Sequence, residues 1–219
     1  MLNQKLKKMP LTKNRVAKDN LLIGFWDIKE SCDQLFEMVY PYLDETEMQQ
    51  YRRLTHDRRR CEWLASRLLI STLLGKYQKV YYNQYGKPFI EENYNISITH
   101  SYDMAGVLLS KKKIVGLDVE KMNLRILKVE KKLLEEDEIN EIKSDTKIQT
   151  LYVNWCAKEA MYKACGIREI DIKSNFRLEY FDYQNHGDVY GYITKGEYRK
   201  KLLMHYFEFD NYMVAWCAE

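Results

Sequence analysis

What the chain lacks narrows its chemistry first. Its five cysteines, Cys32, Cys61, Cys156, Cys165 and Cys217, are odd in number and widely scattered, and no two have the short spacing of a zinc or redox motif. Free thiols in a reducing compartment are therefore expected. Long apolar runs are missing too: the stretch 68–74 is interrupted and too short to cross a bilayer. Neither sign of charge dominates, since 35 Lys and Arg face 32 Asp and Glu, and a formal net charge of +3 does not by itself argue for nucleic acid. Lys5, Lys7, Lys8, Lys13, Arg15 and Lys18 come without an acidic residue, yet no apolar core of a signal peptide follows them. That arm reads as a solvated tail, and the whole as a soluble, unexported, cytoplasmic protein.

What is present is the composition of a folded protein, 46% hydrophobic and 31% charged over 219 residues, enough for one domain or two small ones. In chain order, residues 21–26 read as a strand and 31–42 as a short helix ending near Pro41. Residues 45–74 contain neither Gly nor Pro and repeat leucine at helical spacing before Gly75, which predicts one long helix, or two with a break near Thr55, His56 and Asp57. Arg58, Arg59 and Arg60 lie early in it, as a solvated basic face or as an anion contact. Residues 80–82 suggest a strand and Tyr85-Gly86-Lys87-Pro88 a turn. Strands are expected over 96–101, with His100 near its end, over 105–109 and over 114–120. Residues 124–143 look like a partly exposed helix. Strands then return at 176–183, 189–194, 202–209 and 212–217, separated by turns at 185–188 and 210–211. His186 and His205 are assigned no function. Helix followed by strands in both halves suggests a duplicated α+β unit.

Chemistry concentrates between Asn95 and Gly166. As an alternating strand, residues 114–120 send Val115, Leu117 and Val119 to one face and Gly116, Asp118 and Glu120 to the other. As a helix, residues 148–165 align Ile148, Leu151, Tyr152, Trp155, Cys156 and Tyr162 on one stripe, with Gly166 placed to end it. Glu159 and Lys163 fall inside that stripe. Charges are rarely buried unless paired or holding something ionic, so an inward Glu and Lys ask for a partner. Asp118, Glu120 and Glu159 together offer the oxygen ligands a hard divalent ion such as Mg2+ prefers, an ion usually shared with substrate phosphates.

These residues carry a resemblance as well. Ile96-Ser97-Ile98-Thr99-His100-Ser101, then Gly116-Leu117-Asp118-Val119-Glu120, then Trp155-Cys156-Ala157-Lys158-Glu159-Ala160-Met161-Tyr162-Lys163 resemble the ordered signatures of the Sfp-type 4'-phosphopantetheinyl transferases. Tyr85-Gly86-Lys87-Pro88 resembles the motif that precedes them. The resemblance implies an α+β fold of two similar, pseudo-symmetric halves, residues 1–112 and 113–219, with coenzyme A in the cleft between them. It implies Mg2+-dependent transfer of the 4'-phosphopantetheine arm of coenzyme A to a serine of an apo acyl or peptidyl carrier protein. The other product is 3',5'-adenosine bisphosphate. By this resemblance Asp118, Glu120 and Glu159 hold the metal, Lys163 contacts the pyrophosphate, Lys87 and His100 hold phosphates of the nucleotide end, and Lys158 flanks the phosphate site. Glu159, Lys163 and His100 form the implied catalytic set. Glu159 is the first choice of base, with Glu120 or a water on the metal as rivals.

Two departures stand out. Thr99 occupies a position where the family often has serine, so its hydroxyl contact is altered. Where an arginine of the long N-terminal helix commonly meets the 3'-phosphate, the register here leaves Glu62, and Arg60 is the nearest substitute. Neither a nucleic acid nor a membrane is an expected partner, and a monomer is favoured. Two other readings compete: a Mg2+-dependent nuclease or phosphohydrolase, and a nucleic-acid-binding module built on the basic arm, Arg58 to Arg60 and the tyrosines. The second leaves an inward Glu159 unexplained.

Overall fold

The computed structural model describes residues 12–18, 20–167 and 169–219. The chain divides into two compact units, Met1–Lys112 and Lys113–Glu219. Both mix helix and antiparallel sheet, so the fold is α+β.

The first unit opens with β1 (Thr12–Lys18) and β2 (Leu21–Asp27), paired antiparallel. Lys13, Arg15 and Lys18 of the basic arm thus lie on a strand, whereas Lys5, Lys7 and Lys8 lie outside the described residues. Helix α1 (Cys32–Val39) starts at Ser31, whose hydroxyl accepts the Gln34 N–H while the Gln34 side chain accepts the Ser31 N–H. Asp44 caps α2 (Glu45–Arg52), and α3 (Asp57–Leu74) follows after a short break, so the Gly- and Pro-free segment is two helices. Gly75, at φ +76°, ends α3 in the left-handed conformation. The hairpin of β3 (Tyr81–Tyr82) and β4 (Pro88–Phe89) precedes β5 (Asn95–Ser101) and β6 (Met104–Ser110). The four-stranded sheet runs β1-β2-β6-β5. Leu64, Leu68, Leu69 and Leu73 of α3 join Trp26, Val107 and Leu109 of the sheet in its core. The expectation of free thiols is corrected here. Packing of α1 on α3 brings Cys32 and Cys61, 29 residues apart in sequence, into a disulfide, leaving Cys156, Cys165 and Cys217 free.

The second unit begins with β7 (Val115–Lys121). The partly exposed helix expected over 124–143 is instead a 3-10 turn (Leu124–Lys128), α4 (Glu130–Leu133) and α5 (Glu136–Asn140). Leu134 adopts an extended backbone, and Glu135 then starts a new capping box with Glu138, which divides the segment. Helix α6 (Lys147–Cys165) ends at Gly166, φ +63°, and α7 (Ile172–Asn175) leads into β8 (Phe176–Leu178). Strands β9 (His186–Lys195), β10 (Tyr198–Phe209) and β11 (Tyr212–Ala218) complete a sheet of order β7-β11-β10-β9-β8. His186, expected in a turn, is the first residue of β9.

The two units wind alike: β2 neighbours β6 and then β5, as β7 neighbours β11 and then β10, with one long helix between the first strand and the pair in each. Among the described residues no helix is long and apolar enough to cross a membrane.

Candidate active site

In the second unit, the geometry starts from a glycine. A Cβ at Gly116 would lie 1.9 Å from the Ala160 carbonyl oxygen, so only glycine lets α6 lie this close on β7. By strand alternation, Asp118 and Glu120 share the face that Gly116 turns toward α6. The burial of Cys156 on α6, followed by the charges of Asp118 and Glu120, raises its thiol pKa well above the usual range, which fits both carboxylates pointing at this stretch of helix.

Lys163 Nζ donates to Asp118 Oδ1 at 2.7 Å and to the Leu117 carbonyl at 3.0 Å. Asp118 is 5% exposed, so the ammonium neutralises a buried charge. Glu159, one helical turn before Lys163, is partly buried. Burial first, and then the negative charge of Asp118, raise its carboxyl pKa, with Lys163 pulling the other way. Asp118, Glu159 and Lys163 therefore form one electrostatic group. Glu120 lines a cavity of about 150 Å³ with Asn123, Arg125, Tyr152 and Trp155. The donors are hard oxygen ligands: Glu159, whose carboxyl pKa is raised by burial and then by the charge of Asp118, Asp118 itself, and Glu120 on the same strand face as Asp118. They do not form a closed cage, since among the described residues no three His, Cys, Asp or Glu side chains are arranged to hold a metal ion.

Two residues of the α6 motif depart from expectation. Lys158, expected beside a phosphate, is fully buried, its Nζ donating to Glu138 Oε1 at 2.9 Å, Glu138 Oε2 at 3.2 Å and the Leu133 carbonyl at 3.1 Å. It pins the segment 133–138 to α6. Tyr162, expected on the apolar stripe, is 40% exposed.

In the first unit, Glu62 is the organising residue. Its buried carboxylate accepts Arg58 Nε at 3.0 Å and Arg59 Nη1 at 3.1 Å, from i,i+4 and i,i+3 positions. His100 Nδ1 lies 3.3 Å from the same carboxylate and its Nε2 lies 3.2 Å from Arg59 Nη1. Arginine can only donate, so in this contact Nε2 is the acceptor. Arg58 also stacks over Tyr102, 5.0 Å from the ring centroid. Glu62, where the register leads one to look for an arginine, clamps two arginines one turn earlier. Arg60, the expected phosphate contact, is turned away, with Nε on the Leu54 carbonyl at 2.8 Å and Nη1 near Asp57. Of the three arginines read from sequence as a basic face or an anion contact, Arg58 and Arg59 are the two held by Glu62, at the helical spacings of four and three residues. Thr99 is 4% exposed, and its methyl lies against Gly106 of β6, where an added Cβ would be 2.9 Å away. Lys87 sits in the β3–β4 turn, its N–H bonded to Asn83 Oδ1 at 3.0 Å.

Beginning three residues after β7 ends, the 3-10 turn displays three faces, because residues three apart eclipse at three residues per turn. Leu124 and Leu127 form an apolar stripe, 69% and 41% exposed. Arg125 and Lys128 form an exposed basic stripe, while Ile126 and Val129 face the core.

Residues 114–217, the segment that carries the carboxylates and Lys163, match the family model described as the 4'-phosphopantetheinyl transferase superfamily. Among curated proteins, the 4'-phosphopantetheinyl transferase AcpT of Escherichia coli K12 is 30% identical over 115 residues, covering 49% of this chain and 59% of AcpT. AcpT of Salmonella typhi is 29% identical over 115 residues, covering 49% and 60%. The 4'-phosphopantetheinyl transferase gsp of Aneurinibacillus migulanus is 28% identical over 87 residues, 38% of this chain and 36% of gsp. The chain spans about three fifths of the length of the AcpT relatives it matches.

Proposed function

We propose that this protein transfers the 4'-phosphopantetheine arm of coenzyme A to a serine hydroxyl of an apo carrier protein, releasing 3',5'-adenosine bisphosphate. The observation that carries the reading is the Asp118, Glu159 and Lys163 group, which falls inside the matched residues. In the reaction, the serine oxygen forms a bond to the β-phosphorus and the bridging P–O bond breaks. The electron pair leaves with the adenosine-bearing phosphate. A base must take the serine proton, and a carboxyl whose proton affinity is raised by burial suits that task, which favours Glu159. Asp118, Glu120 and Glu159 would hold Mg2+, which when bound supplies charge neutralisation on the diphosphate oxygens. Lys163, held by Asp118, adds a second positive charge to the same group.

Within the first unit, a separate cluster suits a phosphate. Arg58, Arg59 and His100 converge on Glu62, and the paired guanidiniums, 58% and 59% exposed, suit a phosphate. Arg59 takes the role first given to Arg60, Lys87 keeps its expected phosphate role, and Lys158 has none. The Leu124–Lys128 turn fits a carrier that presents an acidic helix with apolar side chains. A cytoplasmic, monomeric enzyme completes the reading.

Incubation with Mg2+, coenzyme A and apo acyl carrier protein, followed by intact mass, tests it. The carrier should gain the mass of phosphopantetheine, and Glu159→Ala should lose at least about 100-fold in rate while remaining folded. Release of 3',5'-adenosine bisphosphate without carrier modification would instead indicate a phosphohydrolase. A Glu159→Ala rate near that of the parent would remove the assigned role.

A further inference from the structure

We propose that Cys32 and Cys61 form a reversible thiol–disulfide site that sets the order of the first turn of α3 and, through it, the grip of Arg58, Arg59 and His100 on a phosphate-bearing ligand. The phosphate ligand rests on the reading above; the coupling of bridge to helix turn does not.

The argument begins with a missing cap. Helices α1 and α2 start at Ser31 and Asp44, which accept backbone N–H groups, but α3 starts at His56 with no side-chain capping bond. An uncapped first turn is the part of a helix most prone to fray. Besides the arginine pairs to Glu62 and Asp57, two further contacts hold this one. Arg60 Nε bonds back to the Leu54 carbonyl at 2.8 Å, and Cys61 is joined to Cys32 with their Cα atoms 5.0 Å apart. Cys32 is the first residue of α1, which is anchored in the core by the fully buried Leu35 and Val39. The bridge therefore ties an uncapped turn to a helix anchored in the core. Its position matters because Arg58 and Arg59 lie in that turn and Glu62, which clamps both and His100, is the next residue after Cys61.

Access is consistent with reversibility. Cys32 and Cys61 are only partly buried, whereas Cys156 and Cys217 are buried. Closing the bridge takes two electrons and two protons from the Cys32 and Cys61 thiols to a low-molecular-weight disulfide, which leaves as two thiols; opening is the reverse exchange.

The test compares full-length protein with the bridge closed and opened by a dithiol reductant. Hydrogen–deuterium exchange reads the amides of residues 58–62, and titration with adenosine 3',5'-bisphosphate reads the arginine cluster. Opening the bridge should speed exchange at these amides and weaken the nucleotide about fivefold. Cys32→Ser should show the reduced parent's behaviour under both conditions, and Cys165→Ser should keep the full response. Should Cys32→Ser not fold, reduction of the parent supplies the same comparison. Equal exchange in the two states overturns the proposal, and so does faster exchange with unchanged nucleotide affinity. Redox-dependent exchange with no nucleotide binding in either state supports the coupling and refutes the coenzyme A reading.

Discussion

A methyl group on Gly116 would stand 1.9 Å from the Ala160 carbonyl oxygen, and this close approach is what brings Asp118 within reach of Lys163. Gly116→Ala should therefore cost about 1–3 kcal/mol in chemical denaturation, with a further loss of transfer as α6 is pushed off β7. Glu159 gives a pH signature. Its carboxyl binds a proton more tightly in the folded protein than the ordinary 4.5 expected of the unfolded chain. The unfolded state thus loses that proton first, and ionising Glu159 costs stability as pH rises from about 4.5 through the folded value. Glu159→Gln should raise the metal-free thermal midpoint at pH 7, and this gain should vanish near pH 4. At this scale, strand alternation and the interrupted helical stripe were enough to single out Asp118, Glu120, Glu159 and Lys163. Helical spacing sets Arg58 and Arg59, not Arg60, on the face of Glu62, but that His100 joins the same carboxylate depends on a strand far along the chain meeting α3.

Elements are held to one another by buried polar pairs that no local pattern announces. Lys158 and Glu138 lie 20 residues apart and meet because α5 folds back onto α6. Lys158→Ala leaves the Glu138 carboxylate uncompensated and should destabilise by about 3–5 kcal/mol, whereas Lys158→Met combined with Glu138→Leu should recover most of the loss in the same denaturation measurement. The helix breaks follow a similar division. Gly75 and Gly166 marked their helix ends correctly, since both adopt positive φ. The split of residues 124–143 was missed because Leu133, Leu134, Ile139 and Ile142 keep a helical spacing even across an extended Leu134.

For the whole molecule, the proposed acceptor is a macromolecule, and its capture should be electrostatic. Arg125→Glu with Lys128→Glu should raise the carrier KM about tenfold or more at low salt and leave the coenzyme A KM unchanged, in steady-state transfer assays. The parent's carrier KM should rise with ionic strength while the double variant's changes less. Salt-independent capture by the parent would count against a basic docking surface.

The α+β class, the order of strands and long helices, and the short motifs with their carboxylates follow from the sequence by itself, because alternation, helical period and glycine stops are local properties of the chain. The Cys32–Cys61 bridge, the Glu62 clamp on Arg58, Arg59 and His100, and the inward turn of Lys158 were decided only by tertiary structure. Each depends on two segments far apart in sequence meeting, and that meeting is set by packing against a shared core.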